Sequence, residues 1–246
     1  MTDIHYFDAH IHVEKPGVTP EVVLALARAR GLRVGLVDHI FPYEDRITPL
    51  SVKEKSRKMF ADIQFLHGCE ADAYSPGKIA LTEEQRKNMD YVIVSFTHLG
   101  EHALEGVSRS DYSAIGARIM QLLETAIEYP HTNILAHPFS FNISGIDSWD
   151  VIKTIPQSDI ISRLRKVLEY KILVEINART LRNNDIRSQE YFISLANQVG
   201  CLFSIASDAH ELEEVGKTQE AWQLIKQLNI QPEKIKFPNK HNIYNY

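Results

Sequence analysis

The stretch YFDAHIHVE, residues 6–14, decides how the chain is read. It begins as a strand would, with apolar residues, and it carries two histidines two residues apart. On an extended segment residues i and i+2 point to the same side, so His10 and His12 can aim both imidazoles at one point. Such a pair at the end of a first strand asks for partners at the ends of later ones. In α/β folds those ends open onto a single face, where ligand groups collect.

Outward from this stretch, short runs rich in Val, Ile, Leu and Phe recur at YFDA, RVGLV, IQFLHG, DYVIVSF, TNILA, KILVEI and CLFSIA. Between most of them apolar residues repeat every three or four positions, as in TPEVVLALARAR, DYSAIGARIMQLLETAIE, SDIISRLRKVLEY, SQEYFISLANQVG and TQEAWQLIKQLN, the period of a helix. Thr19 before Pro20 reads as a helix start, and Asp111, Ser158, Ser188 and Thr218 read as caps. About seven strand–helix units without a low-complexity linker predict an α/β domain with a parallel sheet covered by helices. Periodicity leaves open whether that sheet closes on itself. FPYEDRITPL, HLGEHALEGVSRSD and PFSFNISGIDSWDVIKTIPQ read as loops over a site.

At 246 residues, 44% apolar and 24% charged, the chain has the balance of a globular protein rather than a disordered one. A formal charge of -5 gives no global attraction to nucleic acid or to an anionic membrane. Two cysteines, Cys69 and Cys201, cannot make a dense disulfide framework and lean towards a reducing compartment. No run reaches the roughly 18 apolar residues of a membrane span, and the N-terminus lacks a secretory pattern. A cytoplasmic enzyme or binding protein is expected.

His10 and His12 have counterparts after each later run but the sixth. Asp38 and His39 follow the second, Glu70 the third, His98 the fourth, His137 the fifth, and Asp208 with His210 the seventh. One histidine after a strand is an ordinary polar residue, and one carboxylate there is a cap or a solvated acid. Six of the eleven histidines in this one setting are not explained so simply. Imidazole and carboxylate are the ligand types for zinc, manganese and iron. The donors outnumber the three that a catalytic zinc takes, so two or three ions are expected, with a glutamate able to bridge two of them. Such a cluster keeps a net positive charge that a phosphate dianion and a hydroxide together would nearly balance.

The ordered set HIH, VDH, GCE, FTH, AHP and DAH resembles the polymerase and histidinol phosphatase (PHP) family of metal-dependent phosphoesterases. The resemblance runs from about residue 5 to about residue 222, within a single domain expected to span 1–246. It implies a distorted (β/α)7 TIM-like barrel with two or three Zn, Mn or Fe ions at the C-terminal ends of its strands. By motif, His10, His12 and Asp208 would hold one ion, and Glu70 would bridge it to a second held by His98 and His137. His39 and His210 would belong to a third. The family usually supplies a further Asp or His soon after its HxH, but VEKPGVT contains neither, so either Glu14 substitutes or the third ion is lost. The implied reaction is hydrolysis of a phosphoester by a metal-activated hydroxide, with Glu70 as the bridge and His39 or His210 protonating the leaving oxygen. Asp38 would support its neighbour His39.

Arg179 in VEINARTLRNND and Arg109 after His98 are candidate phosphate partners, because a guanidinium fork matches paired oxygens. Asn177 is a candidate for substrate or backbone contacts, His102 for the pocket edge, and Trp149, Phe139 and Phe141 for its walls or for ordinary packing. A small phosphomonoester is the expected substrate. An exonuclease or phosphodiesterase acting on nucleotides or nucleic-acid ends is the alternative, disfavoured by the acidic chain. A non-catalytic metal-binding regulatory protein is the third reading. A mononuclear amidohydrolase fits less well, since no lysine follows a central strand where its metal bridge would stand. Specificity is expected in the loops at 41–58, 99–111 and 138–157.

Overall fold

The computed structural model describes residues 7–14, 17–42, 47–98, 102–141, 145–182 and 186–239. Each apolar run becomes a strand: β1 (Phe7–His12), β2 (Arg33–Ile40), β3 (Phe65–Ser75), β5 (Tyr91–Ser95), β6 (Ile134–Leu135), β7 (Leu173–Asn177) and β8 (Leu202–Ala206). The two-residue β4 (Lys78–Ile79) folds back antiparallel onto β3. The other seven run parallel in the order β1-β2-β3-β5-β6-β7-β8. The His12 amide donates to the Ala209 carbonyl at 2.9 Å and Ile11 bridges Ala209, so the two ends of the sheet meet in a distorted barrel. The strands are buried on both faces, which is why they read as continuous apolar runs rather than alternating ones.

The principal outer helices are α1 (Pro20–Arg30), α2 (Leu50–Met59), α4 (Tyr112–Glu128), α6 (Gln157–Glu169), α8 (Ile186–Val199) and α9 (Gln219–Gln227). Short helices α3 (Glu83–Arg86), α5 (Ser148–Ile152) and α7 (Ala178–Arg182) lie between them. Asp111 caps α4 by accepting from the Ala114 amide, whereas Thr218 precedes α9 without a side-chain cap. Ser158 lies inside α6, and Ser188 lies inside α8 bonded to Ser148. The expected loop at 41–58 contains α2. Its buried residues are Lys53 and Ser56, so it lacks the apolar stripe by which a helix is recognised. The Lys53 ammonium is fully buried and pairs with Asp38 at 2.9 Å, while Thr48 bonds the other Asp38 oxygen.

Inside the barrel Tyr91 crosses from β5 to β1, its hydroxyl donating to the Ala9 carbonyl at 2.8 Å. The ring fits because β2 and β3 present glycines: a Cβ on Gly35 would stand 2.2 Å from the hydroxyl, and one on Gly68 2.5 Å from the ring. Below the mouth, Asp8 accepts from the Ser207 and Gly216 amides, both at 2.9 Å, fixing β1 to the segment after β8. Among the described residues no helix is long and apolar enough to cross a membrane.

Candidate metal centre

His10 and His12 lie two residues apart on β1, which carries a register shift between Asp8 and Ile11, and alternation puts Gly68, Glu70 and Asp72 on one face of β3. His39 on β2 is in register with Glu70. His10, His12, His39 and Glu70 therefore lie within strands rather than just past them as expected, whereas His98, His137, Asp208 and His210 do follow their strands. The donors converge into three groups whose ligand atoms lie within 4.8 Å of one another: His10, His12 and Asp208; Glu70, His98 and His137; and His12, His39 and His210. These groups suit two or three divalent ions, since each offers borderline nitrogen donors and the first two add a carboxylate.

Glu70 joins the groups. Its Oε1 is 2.7 Å from His137 Nε2 and 3.7 Å from His98 Nε2. Its Oε2 is 3.2 Å from His39 Nε2 and 3.5 Å from the Nε2 atoms of both His10 and His12. One carboxylate thus turns one oxygen to each side of the barrel. Asp208 Oδ1 lies 3.2 Å from His12 Nε2.

Glu14 enters the third group through its neighbours. Its carboxylate is hydrogen-bonded to His39 Nδ1 and lies 3.5 Å from His12 Nδ1. His39 Nε2 is left facing Glu70.

Two carboxylates that the sequence reading passed over hold the imidazoles in place. Glu175, fully buried on β7, bonds His10 Nδ1 at 2.8 Å through Oε1 and accepts the His137 amide at 2.7 Å through Oε2. Asp72 bonds His98 Nδ1 at 2.9 Å. A carboxylate on one ring nitrogen fixes which nitrogen is left for an ion. The signal for Glu175 was present in KILVEIN: an acid inside a strand buried on both faces needs a partner.

Other expected residues take different positions. Asn177 is fully buried, its amide nitrogen donating to Glu175 at 2.9 Å and Asp208 at 3.3 Å and its oxygen accepting from the Thr180 amide at 2.9 Å. Both ends are engaged, so Asn177 braces the acids instead of facing a pocket. Arg179 stands beside the site, donating to Glu214 at 2.8 Å and to the Asp208 carbonyl at 3.4 Å. Glu214 also accepts the His210 amide at 2.9 Å. Arg109 and His102 are exposed in the segment after β5. Phe139 packs on Phe96 and Phe192 in the core, with Phe141 beside it, and Trp149 packs on Tyr191 of α8. Lys53, the buried lysine, faces Asp38 and not the donors.

Electrostatics follow from this crowding. Burial disfavours the His39 imidazolium, but Glu14 and Glu70 outweigh it and raise its pKa to about 9. Burial likewise opposes charge on His98, and Glu70 and Asp72 raise it to about 9. Burial and the neighbouring His12 push His210 down to about 4. Burial raises the Glu70 carboxyl, yet His98, His10 and His137 hold it well below its ordinary range. Protons on these rings compete with cations for the same carboxylates, so ion binding releases protons.

No family model matches the chain. Three relatives are similar in sequence. A probable phosphatase of Caldanaerobacter subterraneus subsp. tengcongensis is 27% identical over 175 residues, 70% of this chain and 60% of that protein. The DNA polymerase/3'-5' exonuclease PolX of Bacillus subtilis is 26% identical over 154 residues, 63% of this chain and 23% of that protein. A probable phosphatase of Photobacterium profundum is 24% identical over 238 residues, 93% of this chain and 87% of that protein. The match thus spans less than two thirds of the first two relatives and most of the third. The crystal structure of histidinol phosphate phosphatase from Lactococcus lactis, complexed with zinc, L-histidinol and phosphate, superposes with a TM-score of 0.64 over 98% of this chain and 99% of that one, at 15% identity. At that identity the likeness is one of fold.

Proposed function

We propose that this chain, PHP-like in its barrel and its ordered donors, is a phosphoesterase that hydrolyses small phosphomonoesters with two or three divalent transition-metal ions. The observation that carries the reading is Glu70, whose two oxygens face donor groups on opposite sides of the barrel mouth. The names of two relatives, both probable phosphatases, support it.

His10, His12 and Asp208 would hold one ion and Glu70, His98 and His137 a second, with His39 and His210 at a third. Ions so held supply Lewis acidity to the phosphoryl oxygens and lower the pKa of water beside them. The chain's own part is to fix and orient. Glu175 keeps His10 Nδ1 protonated so that Nε2 faces the mouth, and Asp72 does the same for His98. Glu14 would act by holding His39 Nδ1, leaving Nε2 for the ion; direct ligation by Glu14 would require it to release that ring. His39 or His210, where not committed to an ion, would donate the proton to the leaving oxygen. Arg179 would capture phosphate only by leaving Glu214, and Arg109 and His102 would reach substrate from the loop after β5. Asn177 would contribute through the acids it braces. We take the chain as one domain over 1–246 acting in the cytoplasm.

The second reading, an exonuclease or phosphodiesterase on nucleotides or nucleic-acid ends, is favoured by the PolX relative, named as a 3'-5' exonuclease. The formal charge of -5 weighs against it. The deciding experiment reconstitutes the protein with Mn, Zn or Fe and follows hydrolysis of sugar, amino-alcohol and nucleotide monophosphates beside a diester and an oligonucleotide. Monoester turnover with two or three ions per chain is expected. Diester or oligonucleotide turnover alone would select the second reading, and a metallated protein inert on the whole panel would leave the binding protein.

A further inference from the structure

Three rings are stacked at the mouth. The His12 and His39 imidazoles lie 3.7 Å apart at 7°, and the Phe41 ring lies 4.9 Å from His39 at 16°. Two rings cannot share one face of His39, so Phe41 covers the face opposite His12. Phe41 also reaches across the sheet towards His98, 6.4 Å away at 44°. It therefore spans the donors of β2 and the donor after β5. Below these rings the barrel is closed by His10 and Glu175, both fully buried. With His10 and Glu175 filling the barrel below, a phosphate ester bound at the donors would have to direct its organic group towards the rim. Among the described residues, those in contact with this stack that keep exposure include Phe41, half-buried, His98 at 27% and His210 at 17%. Of these, Phe41 is the apolar one.

We propose that Phe41 is a specificity-determining wall that takes the organic group next to the phosphate and selects planar, aryl or heteroaryl monoesters over small alkyl ones. The inference rests on the reading that phosphate binds at the donor cluster. A flat group continues the stack already built from His12, His39 and Phe41, and aromatic pairing strengthens binding by about three- to tenfold beyond simple area burial. A methyl or polyol group gains none of this from the ring.

Phosphonates test the wall without turnover, because their carbon–phosphorus bond is not hydrolysed. Calorimetry would compare phenylphosphonate with methylphosphonate on the manganese-loaded protein, on Phe41→Ala and on Phe41→Leu, each with its metal content measured. The parent should bind the phenyl compound about tenfold more tightly. Both variants should lose most of that preference while holding methylphosphonate as the parent does. Phe41→Leu keeps an apolar cover over His39, so it reports on the ring even if Phe41→Ala loses metal. Equal preference in parent and variants would overturn the wall and leave the phosphate site standing. Failure of the metallated parent to bind either phosphonate would overturn both readings.

Discussion

The two halves of the barrel deliver their donors by different means. In the first half, His10, His12, His39 and Glu70 sit inside β1, β2 and β3, and the strands themselves aim them inward, β1 with a register shift between Asp8 and Ile11. In the second half the strands are short, β6 having two residues, and the donors follow them. There His137 has φ 20° and Asp208 φ 55°, left-handed values that cost a non-glycine residue on the order of 1–3 kcal/mol. Hydrogen bonds hold these residues: Glu175 accepts the His137 amide, Arg179 donates to the Asp208 carbonyl, and Asn177 donates to the Asp208 carboxylate. The first half places its donors chiefly by its strands, with Glu175 and Glu14 bracing His10 and His39, and the second chiefly by bracing. A substitution that removes a brace should therefore act almost like one that removes a ligand.

The largest effect is expected where the halves meet. Glu70→Ala removes the carboxylate whose two oxygens stand among the donor nitrogens of both halves, and turnover should fall on the order of 10³-fold or more, beyond the loss from a single transition-state donor. Fewer ions per chain should accompany it, with far-ultraviolet circular dichroism unchanged. Full activity at parental metal content would break the bridging account.

Glu175 tests the bracing itself. It touches His10 of the first half and the His137 amide of the second, so Glu175→Gln should weaken both donor groups at once without removing a ligand. Metal affinity or activity should drop about 10–100-fold, the usual effect of losing a carboxylate behind a ligating histidine. Titration with a competing chelator measures it, and a loss below twofold would show that the second half needs no brace.

Gly68→Ala probes the regular half. Its added methyl would stand 2.5 Å from the Tyr91 ring and 2.7 Å from the Tyr91 carbonyl, so moving the ring is not enough and β3 must shift away from β5. Overpacking of this kind destabilises by about 1–3 kcal/mol. Urea unfolding of the metal-free protein should give a lower midpoint, and Gly68→Ala with Tyr91→Phe should not restore it, since the clash is with ring carbons.

The regular half was also the more legible in sequence. HIH, VDH and GCE carry their own direction once their runs are taken as strands, and all seven runs are strands. What escaped was chemistry that only the folded chain brings together. The helix α2 hides because its buried face is Lys53 and Ser56 while Leu50 and Met59 are about half exposed, inverting the apolar pattern. Glu175 carries a sequence signal, but its partners His10 and His137 are far along the chain. For Asn177 the sequence leaves substrate and backbone contacts open; that both its ends are engaged depends on Glu175, Asp208 and Thr180 together.

The smallest expected effect sets His67 against Glu70, three residues apart on β3. Glu70 faces the donors, whereas His67 is buried with neither ring nitrogen hydrogen-bonded among the described residues. Burial, reinforced by the Lys53 and Arg57 cations, pushes its imidazole down to about 3. The unfolded chain protonates that ring below about pH 6.5 while the folded chain does not, so acid favours unfolding. The stability tied to neutral His67 is complete above about pH 6.5 and is lost as pH falls towards 3. His67→Leu removes the titration and an unsatisfied polar group. Near pH 7 it should lie within about 1 kcal/mol of the parent, because an apolar group of similar size there is close to neutral. Towards pH 5 the variant should gain on the parent steadily in urea midpoints of the metal-free protein. The donor histidines titrate in both proteins and cancel from the difference. A parent-to-variant gap that stays flat from pH 7 to pH 5 would mean that folded His67 takes up protons as readily as the unfolded chain does.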